Sequence, residues 1–253
     1  VIIMKLSFQK WFFNCITGCS AVLWATTGCQ TSQKTASNEV TFFKLTESVH
    51  QWRQPIGDWK EVGVIQLRDG DNSAFKVEKG RGIFVNHPNA QTVNLLSHAQ
   101  HGDVSLHVEF TVPEGSNSGV YLQGRYEVQV LDSWGKTDVG HGDCGGIYQR
   151  WVNGRGLEGH APKINASLPP GEWQSFDIVF RAPRFNGSGE KIENARFLKV
   201  VHNGVPVHHN VSLNGPTRSA SFDDEQPLGP IMLQGDHGPV AYRNIIVRPL
   251  NLD

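Results

Sequence analysis

The chain has 253 residues and a formal net charge of −1, with 23 Lys and Arg against 24 Asp and Glu. This length allows one large or two small domains with a proper hydrophobic core. Because the charges balance and no basic run or stripe occurs, nucleic acid is not an expected partner. The 27 Gly and 13 Pro, without sustained helical periodicity, favour an all-β class.

Residues 1–29 have the composition of an export signal. Met4 is the expected start of translation, and the residues before it are expected to be an upstream artefact. Two lysines flank the start of an apolar region that is too short and too polar for a good membrane span. The sequence ATTG directly before Cys29 resembles a bacterial lipoprotein cleavage site, which predicts lipidation of Cys29. Cleavage before Cys19 leaves too short an apolar region, and cleavage without lipidation is the third alternative.

This signal implies a tether followed by a folded domain. The polar residues 30–41 are predicted to be a flexible tether, and residues 42–253 form one domain without a linker-like break. The protein is expected in the periplasm, or at the outer membrane or cell surface, touching a membrane only through its lipid anchor. Cys144 is then the lone free cysteine, so no disulfide is expected within the mature chain. A small buried hydrophobic role for Cys144 is favoured over a nucleophilic one.

Short strand candidates recur along the domain. The stretch HNGVPV places Asn-Gly between apolar runs, which is a strong signal for a hairpin. PEGSNSG, GHGDCGG and FNGSGEK have the composition of loops. These features predict a sandwich of two antiparallel sheets. The strand candidates are residues 82–86, 104–112, 119–131, 174–182, 196–211, 230–236 and 243–250.

Three of these candidates alternate apolar residues with large polar ones. Successive residues of a strand lie on opposite faces, so the apolar set is predicted to face the core and the polar set to face outward. The predicted core residues are Val104, Leu106, Val108, Phe110, Leu122, Val128 and Val130. The polar residues predicted to share one open face are His107, Glu109, Gln123, Arg125, Glu127 and Gln129, joined by Gln234 and Asp236.

A curved sheet would gather these polar rows into a groove. Amides, carboxylates and guanidinium groups match the hydroxyl groups of sugars, and aromatic rings cover their apolar faces. The sequence therefore predicts a carbohydrate site, with Trp134, Tyr148 and Trp151 as candidate platforms. The alternative is a solvated sheet face with cross-strand ion pairs, such as one between Arg125 and Glu109. The lack of lysine in all three rows favours the groove.

Several stretches resemble the 3-keto-disaccharide hydrolase domain family. The most specific are SNSGVYLQGRYEVQVLDS and LQGDHGPVAYRNI, and GDCGGIY, PPGEWQSFDIVFRAPRF and NGVPVHHNV also match. The resemblance runs from about Phe42 to Leu250, with only a loose match at its N-terminal end. It implies a concanavalin A-like jelly-roll sandwich and an exported bacterial protein. It also implies hydrolysis or elimination at glycosidic bonds of sugars already oxidised at carbon 3.

A ketone at carbon 3 suits a defined mechanism. It makes the hydrogen on carbon 2 acidic, so a base can remove it; the enolate then expels the group on carbon 1, and water addition completes net hydrolysis. Glu127 is the first candidate for the base because it lies mid-strand in the polar row. His237 is the second catalytic candidate, oriented by Asp236, because histidine is the side chain that titrates near neutral pH. The alternative for Glu127 is a structural ion pair with Arg125.

The other polar candidates are assigned to substrate binding. They are His107, Glu109, Gln123, Arg125, Gln129, Asp143, Gln234 and Asp236, with His141 in the same Gly-rich loop as Asp143. The 11 histidines leave a divalent metal open. A mixed site from His107, Glu109, Asp236 and His237 would form only if their strands adjoin. No other cofactor is predicted.

Two other functions are compatible with the sequence. A laminarinase-like retaining glycosidase carries Glu-x-Asp-x-x-Glu, to which Glu127, Gln129 and Asp132 would correspond. The missing middle carboxylate argues against it, and retaining hydrolysis needs two carboxyl groups about 5–5.5 Å apart. A non-catalytic sugar-binding module would show the same polar rows, so the pattern does not distinguish it from an enzyme.

Overall fold

The computed structural model describes residues 43–86 and 91–252. The predicted signal and tether, including Cys29, lie outside the described residues. Contacts divide the chain into units 1–38 and 39–253, and the described residues all belong to the second. Within the described ranges, no helix is long and apolar enough to cross a membrane.

The larger of two main sheets is antiparallel. Among the described residues it has eight strands. Seven of them lie in the spatial order β14 (Val205–Leu213), β13 (Ala195–His202), β10 (Gln174–Arg181), β5 (Val104–Thr111), β16 (Ala241–Pro249), β3 (Asp71–Asn86) and β2 (Trp59–Arg68), and β1 (Phe43–Lys44) also pairs with β16.

The smaller sheet carries the hairpin on which the candidate site is built. Its strands lie in the order β4 (Leu95–His101), β15 (Gly229–Leu233), β6 (Asn117–Leu122) and β7 (Tyr126–Leu131). Two short hairpins and a 3₁₀ turn complete the described elements: β8 (Arg150–Val152) with β9 (Arg155–Leu157), β11 (Arg184–Phe185) with β12 (Lys191–Glu193), and Val49–Gln51.

The core lies between the two main sheets. All the side chains predicted to face it, from Val104 to Val130, are buried. The ring of Tyr126 on β7 lies 5.3 Å from that of Phe180 on β10, so the two sheets are in direct contact. Cys144 belongs to the same core, and burial raises the pKa of its thiol to about 12. The predicted concanavalin A-like jelly-roll sandwich and the packing role of this cysteine are both confirmed.

The stretch 119–131, predicted to be one strand, is a hairpin. Gln123 and Gly124 form its turn with φ of 54° and 64°, and the N–H of Arg125 donates to the Leu122 carbonyl at 3.0 Å. Leu122 pairs with Tyr126, so three residues separate the paired positions. Residues of the same parity therefore lie opposite each other, and directly opposed residues face the same side. For this reason the alternation sorted the paired residues of the two strands correctly, although it missed the turn and misplaced the residues within it.

The prediction that three polar rows share one face is wrong. The row on β5 belongs to the larger sheet and the row on the β6–β7 hairpin belongs to the smaller one. The outward faces of two packed sheets point in opposite directions. His107 and Glu109 are thus on the other side of the molecule from Glu127.

The Asn-Gly hairpin is confirmed. It joins β13 to β14 through Asn203 and Gly204, with φ of 49° and 79°. These left-handed conformations are what a two-residue hairpin turn requires.

Replacing Gly124 with alanine should lower the free energy of unfolding by about 2–3 kcal/mol. The alanine must adopt a positive φ, and its Cβ would lie 2.9 Å from the Phe222 ring. The matched control is Gly204→Ala, at the same position of the other turn, where no atom lies within 4 Å of the new Cβ. It should cost only about 1 kcal/mol. Equal losses on chemical denaturation would show that the turn does not pack on Phe222.

Candidate active site

A pocket of about 190 Å³ opens on the outer face of the β6–β7 hairpin. Tyr121 and Glu127, directly opposed across the hairpin, form part of its floor. The lining is largely polar, as the carbohydrate prediction requires. It consists of Asn117, Tyr121, Glu127, Gln129, Tyr148, Arg218, Ser219, Gln234 and His237.

Two loop segments cover the free edge of β7. On one stretch of that edge, Gln129 exchanges hydrogen bonds with Gly145 and Gly146, each at 2.8 Å. Farther along, the N–H of Thr217 donates to the Arg125 carbonyl at 2.9 Å. These bonds hold the loops beside the hairpin, where Tyr148 and Arg218 become walls of the pocket.

The carboxyl group of Glu127 is withdrawn from solvent at the pocket floor. The residue is 2% exposed. Burial raises its pKa from the ordinary 4.5 to about 8; the nearby Tyr121 hydroxyl opposes this rise, and the negative charge of Asp236 adds to it. The predicted alternative, an ion pair with Arg125, is wrong because Arg125 pairs with Asp224. A carboxyl group with such a pKa can exchange a proton near neutral pH.

Gly119 provides the space that this carboxyl group occupies. A Cβ at position 119 would collide with Oε1 of Glu127 and lie 2.9 Å from the Tyr121 ring. The glycine is therefore required by the close approach of a side chain, since no turn lies at this position in β6.

The hydroxyl group of Tyr121 lies beside the Glu127 carboxyl group at the pocket floor. Tyr121 is fully buried, and among the described residues only Glu127 is placed to accept from its hydroxyl. Burial raises its pKa well above the ordinary range, and the charge of Glu127 and the hydrogen bond to it add to the rise. The single proton of this hydroxyl can point to Glu127 or to a bound ligand.

Amide side chains in the pocket are held in place by the hairpin. Gln129 donates from Nε2 to Oδ1 of Asn117 at 2.6 Å across the two strands. Gln234 is fixed through its main chain, which donates to the Gly119 carbonyl at 3.0 Å and accepts from Oγ of Ser118 at 2.8 Å. Such amides present donors and acceptors that match sugar hydroxyl groups.

His237 approaches the pocket from its rim. Its Nδ1 lies 2.5 Å from Oδ1 of Asp236, and both side chains are about half exposed. The predicted pairing of these two residues is present. With Nδ1 bonded to the carboxylate, Nε2 is the ring nitrogen left for proton transfer.

The pocket brings together four of the predicted site residues. Glu127, Gln129, Gln234 and His237 all line it, and Asp236 lies beside it as the partner of His237. Their catalytic and binding roles stay predictions.

Gln123 and Arg125 do not share the open face with Glu127, so that prediction is wrong. Gln123 donates from Nε2 to the carbonyls of His101 and Pro227 at 3.3 and 3.0 Å. Arg125 contacts the Asp224 carboxylate through Nη2 at 2.6 Å. The chain reverses at these residues, and both side chains fasten the turn to a neighbouring segment.

His107 and Glu109 were wrongly predicted as contacts in this site. On the outer face of β5, Nδ1 of His107 lies 2.8 Å from Oδ1 of Asp177, and Glu109 accepts from Nε of Arg243 at 2.6 Å. Period-two alternation identifies an outward face, but it does not say to which sheet that face belongs.

Asp143 stabilises its own loop and does not line the pocket, contrary to the prediction. Its Oδ1 accepts from Nζ of Lys136 at 2.5 Å and its Oδ2 from the Gly140 N–H at 2.8 Å. Burial opposes its ionised form, but these bonds outweigh that effect and lower its pKa. His141 in the same loop packs its ring 5.5 Å from the Tyr148 ring, so it supports a wall residue.

Sequence reasoning missed four lining residues. Asn117 and Tyr121 fall on the same alternation as Glu127, so a search extended along the hairpin would have found them. Arg218 and Ser219 lie in a segment without strand periodicity, and no sequence signal points to them. Among the candidate platforms, Tyr148 lines this pocket whereas Trp134 and Trp151 do not.

No group of three or more His, Cys, Asp or Glu side chains is arranged to hold a metal within residues 43–86 and 91–252. The mixed site from His107, Glu109, Asp236 and His237 is wrong for a topological reason. The first pair lies on the larger sheet and the second pair follows β15 of the smaller one.

Solved structures of similar fold include two from Parabacteroides distasonis ATCC 8503, each described as a "putative glycosyl hydrolase". One is 28% identical, with 79% of this chain and 84% of that chain covered and a TM-score of 0.55. The other is 18% identical, with coverages of 83% and 100% and a TM-score of 0.51, and it shows the fold alone. No curated protein matches the chain.

The family model described as 3-keto-alpha-glucoside-1,2-lyase-like domain matches residues 43–248. The match includes the hairpin, both wall segments and the loop that carries His237, and it confirms the resemblance found in the sequence. Together with the 28%-identical structure, it indicates a carbohydrate-active protein. The chain belongs to the 3-keto-alpha-glucoside-1,2-lyase-like domain family.

Proposed function

We propose that this protein cleaves the glycosidic bond of 3-keto-glycosides, such as 3-keto-disaccharides, with Glu127 as the base. The observation that carries the proposal is a buried carboxyl group with a pKa of about 8 on the floor of a polar pocket. A carboxylate without its water shell is a stronger base than one in solvent. The family description supplies the 3-keto-glucoside as the substrate class.

The reaction begins with transfer of the carbon 2 proton to Glu127. The electron pair of that C–H bond forms an enolate with the ketone at carbon 3. When the ketone re-forms, the electrons make a carbon 1–carbon 2 double bond, and the bond from carbon 1 to the leaving oxygen breaks. The products are an unsaturated keto sugar and the leaving group. Addition of water across the new double bond would complete net hydrolysis.

His237 is assigned as the acid that protonates the departing oxygen. It lies at the rim of the same pocket, and its bond to Asp236 fixes the ring and leaves Nε2 for the transfer. After one turnover Glu127 holds an extra proton and His237 lacks one, so solvent must restore both groups.

Tyr121 is assigned as the hydrogen-bond donor to the oxygen on carbon 3. Its hydroxyl lies beside Glu127 and has no other partner among the described residues. A donor aimed at the oxygen on which negative charge develops stabilises the enolate more than the ketone. The amides of Asn117, Gln129 and Gln234 would bind the sugar hydroxyl groups.

The two rival functions fit the pocket less well. Asp132, the second carboxylate of the laminarinase-like alternative, accepts main-chain bonds from Gly115 and Trp134 at 2.9 and 3.3 Å and does not line the pocket. Glu127 is the single carboxylate among the described lining residues. A binding module needs no buried carboxyl group of raised pKa, which lowers the stability of the folded state. Turnover of a 3-keto-glycoside separates enzyme from module.

The proposal includes the cellular location predicted from the sequence. Export through the signal at residues 1–29 and lipidation of Cys29 would hold the domain at a membrane in the periplasm or at the cell surface. An oxidised sugar is then the expected partner.

Glu127→Gln should lower kcat on a 3-keto-disaccharide by about 10²–10⁴-fold, with little change in KM. The amide keeps the size of the side chain but cannot accept the proton. On a 3-keto-glycoside with a nitrophenolate leaving group, which needs no acid, wild-type kcat/KM should rise with pH to about 8 and then level, because the base must be ionised. Steady-state kinetics test both points. Near-normal turnover of the variant would remove Glu127 as the base, and a rate on the nitrophenyl substrate that falls above pH 8 would make it an acid.

The same variant should be more stable than the wild type at alkaline pH. Folding raises the pKa of Glu127 from 4.5 to about 8, so the folded state binds a proton that the unfolded chain releases between these values. The wild-type free energy of unfolding therefore falls by about 3–5 kcal/mol as pH rises through this window, and the variant lacks that loss. Urea denaturation of both proteins at about pH 5 and about pH 9 measures this difference in the free energy of unfolding. A stability difference that does not grow with pH would contradict the raised pKa.

Gly119→Ala should reduce kcat by about 10–100-fold because its Cβ displaces the Glu127 carboxyl group from its position. Gly187→Ala is the matched control, since no atom lies within 4 Å of its new Cβ and its backbone has no positive φ. Both variants should fold, and only the first should lose activity. Full activity of Gly119→Ala would mean that the position of the carboxyl group is not critical.

A further inference from the structure

A second depression, of about 450 Å³, adjoins the pocket. The two share Arg218 and Ser219. We call it the Trp151 depression; its lining is Arg150, Trp151, Val152, Pro216, Thr217, Arg218, Ser219, Ala220 and Asp223.

The size of the pocket requires part of a glycoside to lie outside it. At about 190 Å³ it is smaller than the 300–1,000 Å³ or so typical of sites that enclose a whole ligand. The sugar ring that reacts must lie near Glu127, so the group attached through carbon 1 has to extend past a wall. Arg218 and Ser219 form the wall beyond which the Trp151 depression begins.

The chemistry of this depression suits a hydroxylated ring. Trp151 is 48% exposed although the Arg218 guanidinium lies over its ring, 4.1 Å from the ring centre. Arg218 has no side-chain ion pair or hydrogen bond among the described residues, so its N–H groups are available to hydroxyl oxygens. An indole surface beside free donors matches the apolar face and polar edge of a sugar.

Main-chain hydrogen bonds fix the depression to the rest of the protein. The N–H of Arg218 donates to the Gln149 carbonyl at 2.8 Å, and that of Ser221 to the Gly124 carbonyl at 2.9 Å. Trp151 lies in β8, which pairs with β9. A site that is formed before binding loses less conformational freedom when the ligand arrives.

We infer that the Trp151 depression binds the leaving group of the substrate and that this group is the second sugar of a disaccharide. The inference rests on the proposed function for the position of the reacting ring. An aromatic alcohol shares the apolar ring face, so the test includes it as a separate ligand.

The test measures binding by calorimetry in the Glu127→Gln protein, which does not consume its ligands. A 3-keto-disaccharide should bind about tenfold or more tightly than the corresponding methyl 3-keto-glycoside. Adding Trp151→Ala should remove most of that difference, and Trp151→Phe should restore much of it. Trp134→Ala is the matched control, because Trp134 is 55% exposed and lines neither the pocket nor the depression.

Each outcome of these binding measurements either supports or contradicts the inference. Equal affinity for the two glycosides, or an equal loss for both in Trp151→Ala, would overturn it. Tighter binding of a 3-keto aryl glycoside than of the disaccharide would overturn the assignment to a sugar. If wild-type protein turns over none of these glycosides while the Trp151-dependent difference persists, the subsite stands and the proposed function fails.

Discussion

The candidate site depends on the exclusion of water from one carboxyl group. Glu127 lies on the outward face of a sheet, where a side chain would ordinarily be solvated, and the loops that cross the edge of β7 enclose it. Its raised pKa lowers the stability of the folded state. The fold must supply that free energy elsewhere, and the apolar core between the two sheets is the main source.

The β6–β7 hairpin contributes residues both to the core and to the candidate site. Val120 and Val128 oppose each other on its inner face, and the neighbouring pair Tyr121 and Glu127 oppose each other on its outer face. A shift of register by one residue would exchange these faces, so packing of the valines also fixes the carboxyl group. The position of the Glu127 carboxyl group therefore depends on the packing of the core.

Alternation of residue types was enough to predict the sandwich, its inward residues and the outward position of Glu127. It did not reveal which sheet carried His107 and Glu109, because that depends on strand order and not on periodicity. The turn at Gln123 and Gly124 was missed since glutamine rarely adopts a positive φ. Arg218 reaches the site through main-chain hydrogen bonds between segments distant in sequence, which no local pattern encodes. The burial that alters Glu127 is likewise a result of tertiary structure.

Because the loops enclose Glu127, the position of the loops affects the protonation of its carboxyl group. If water entered between the wall segments and the hairpin, the pKa of this carboxyl group would return towards 4.5 from its value of about 8. Opening at neutral pH would then release a proton to solvent, and closing would take one up. By thermodynamic linkage, acidification favours the closed arrangement of these loops and alkaline conditions favour the open one. Entry of water into the cavity around Glu127 would then depend on the pH of the solution.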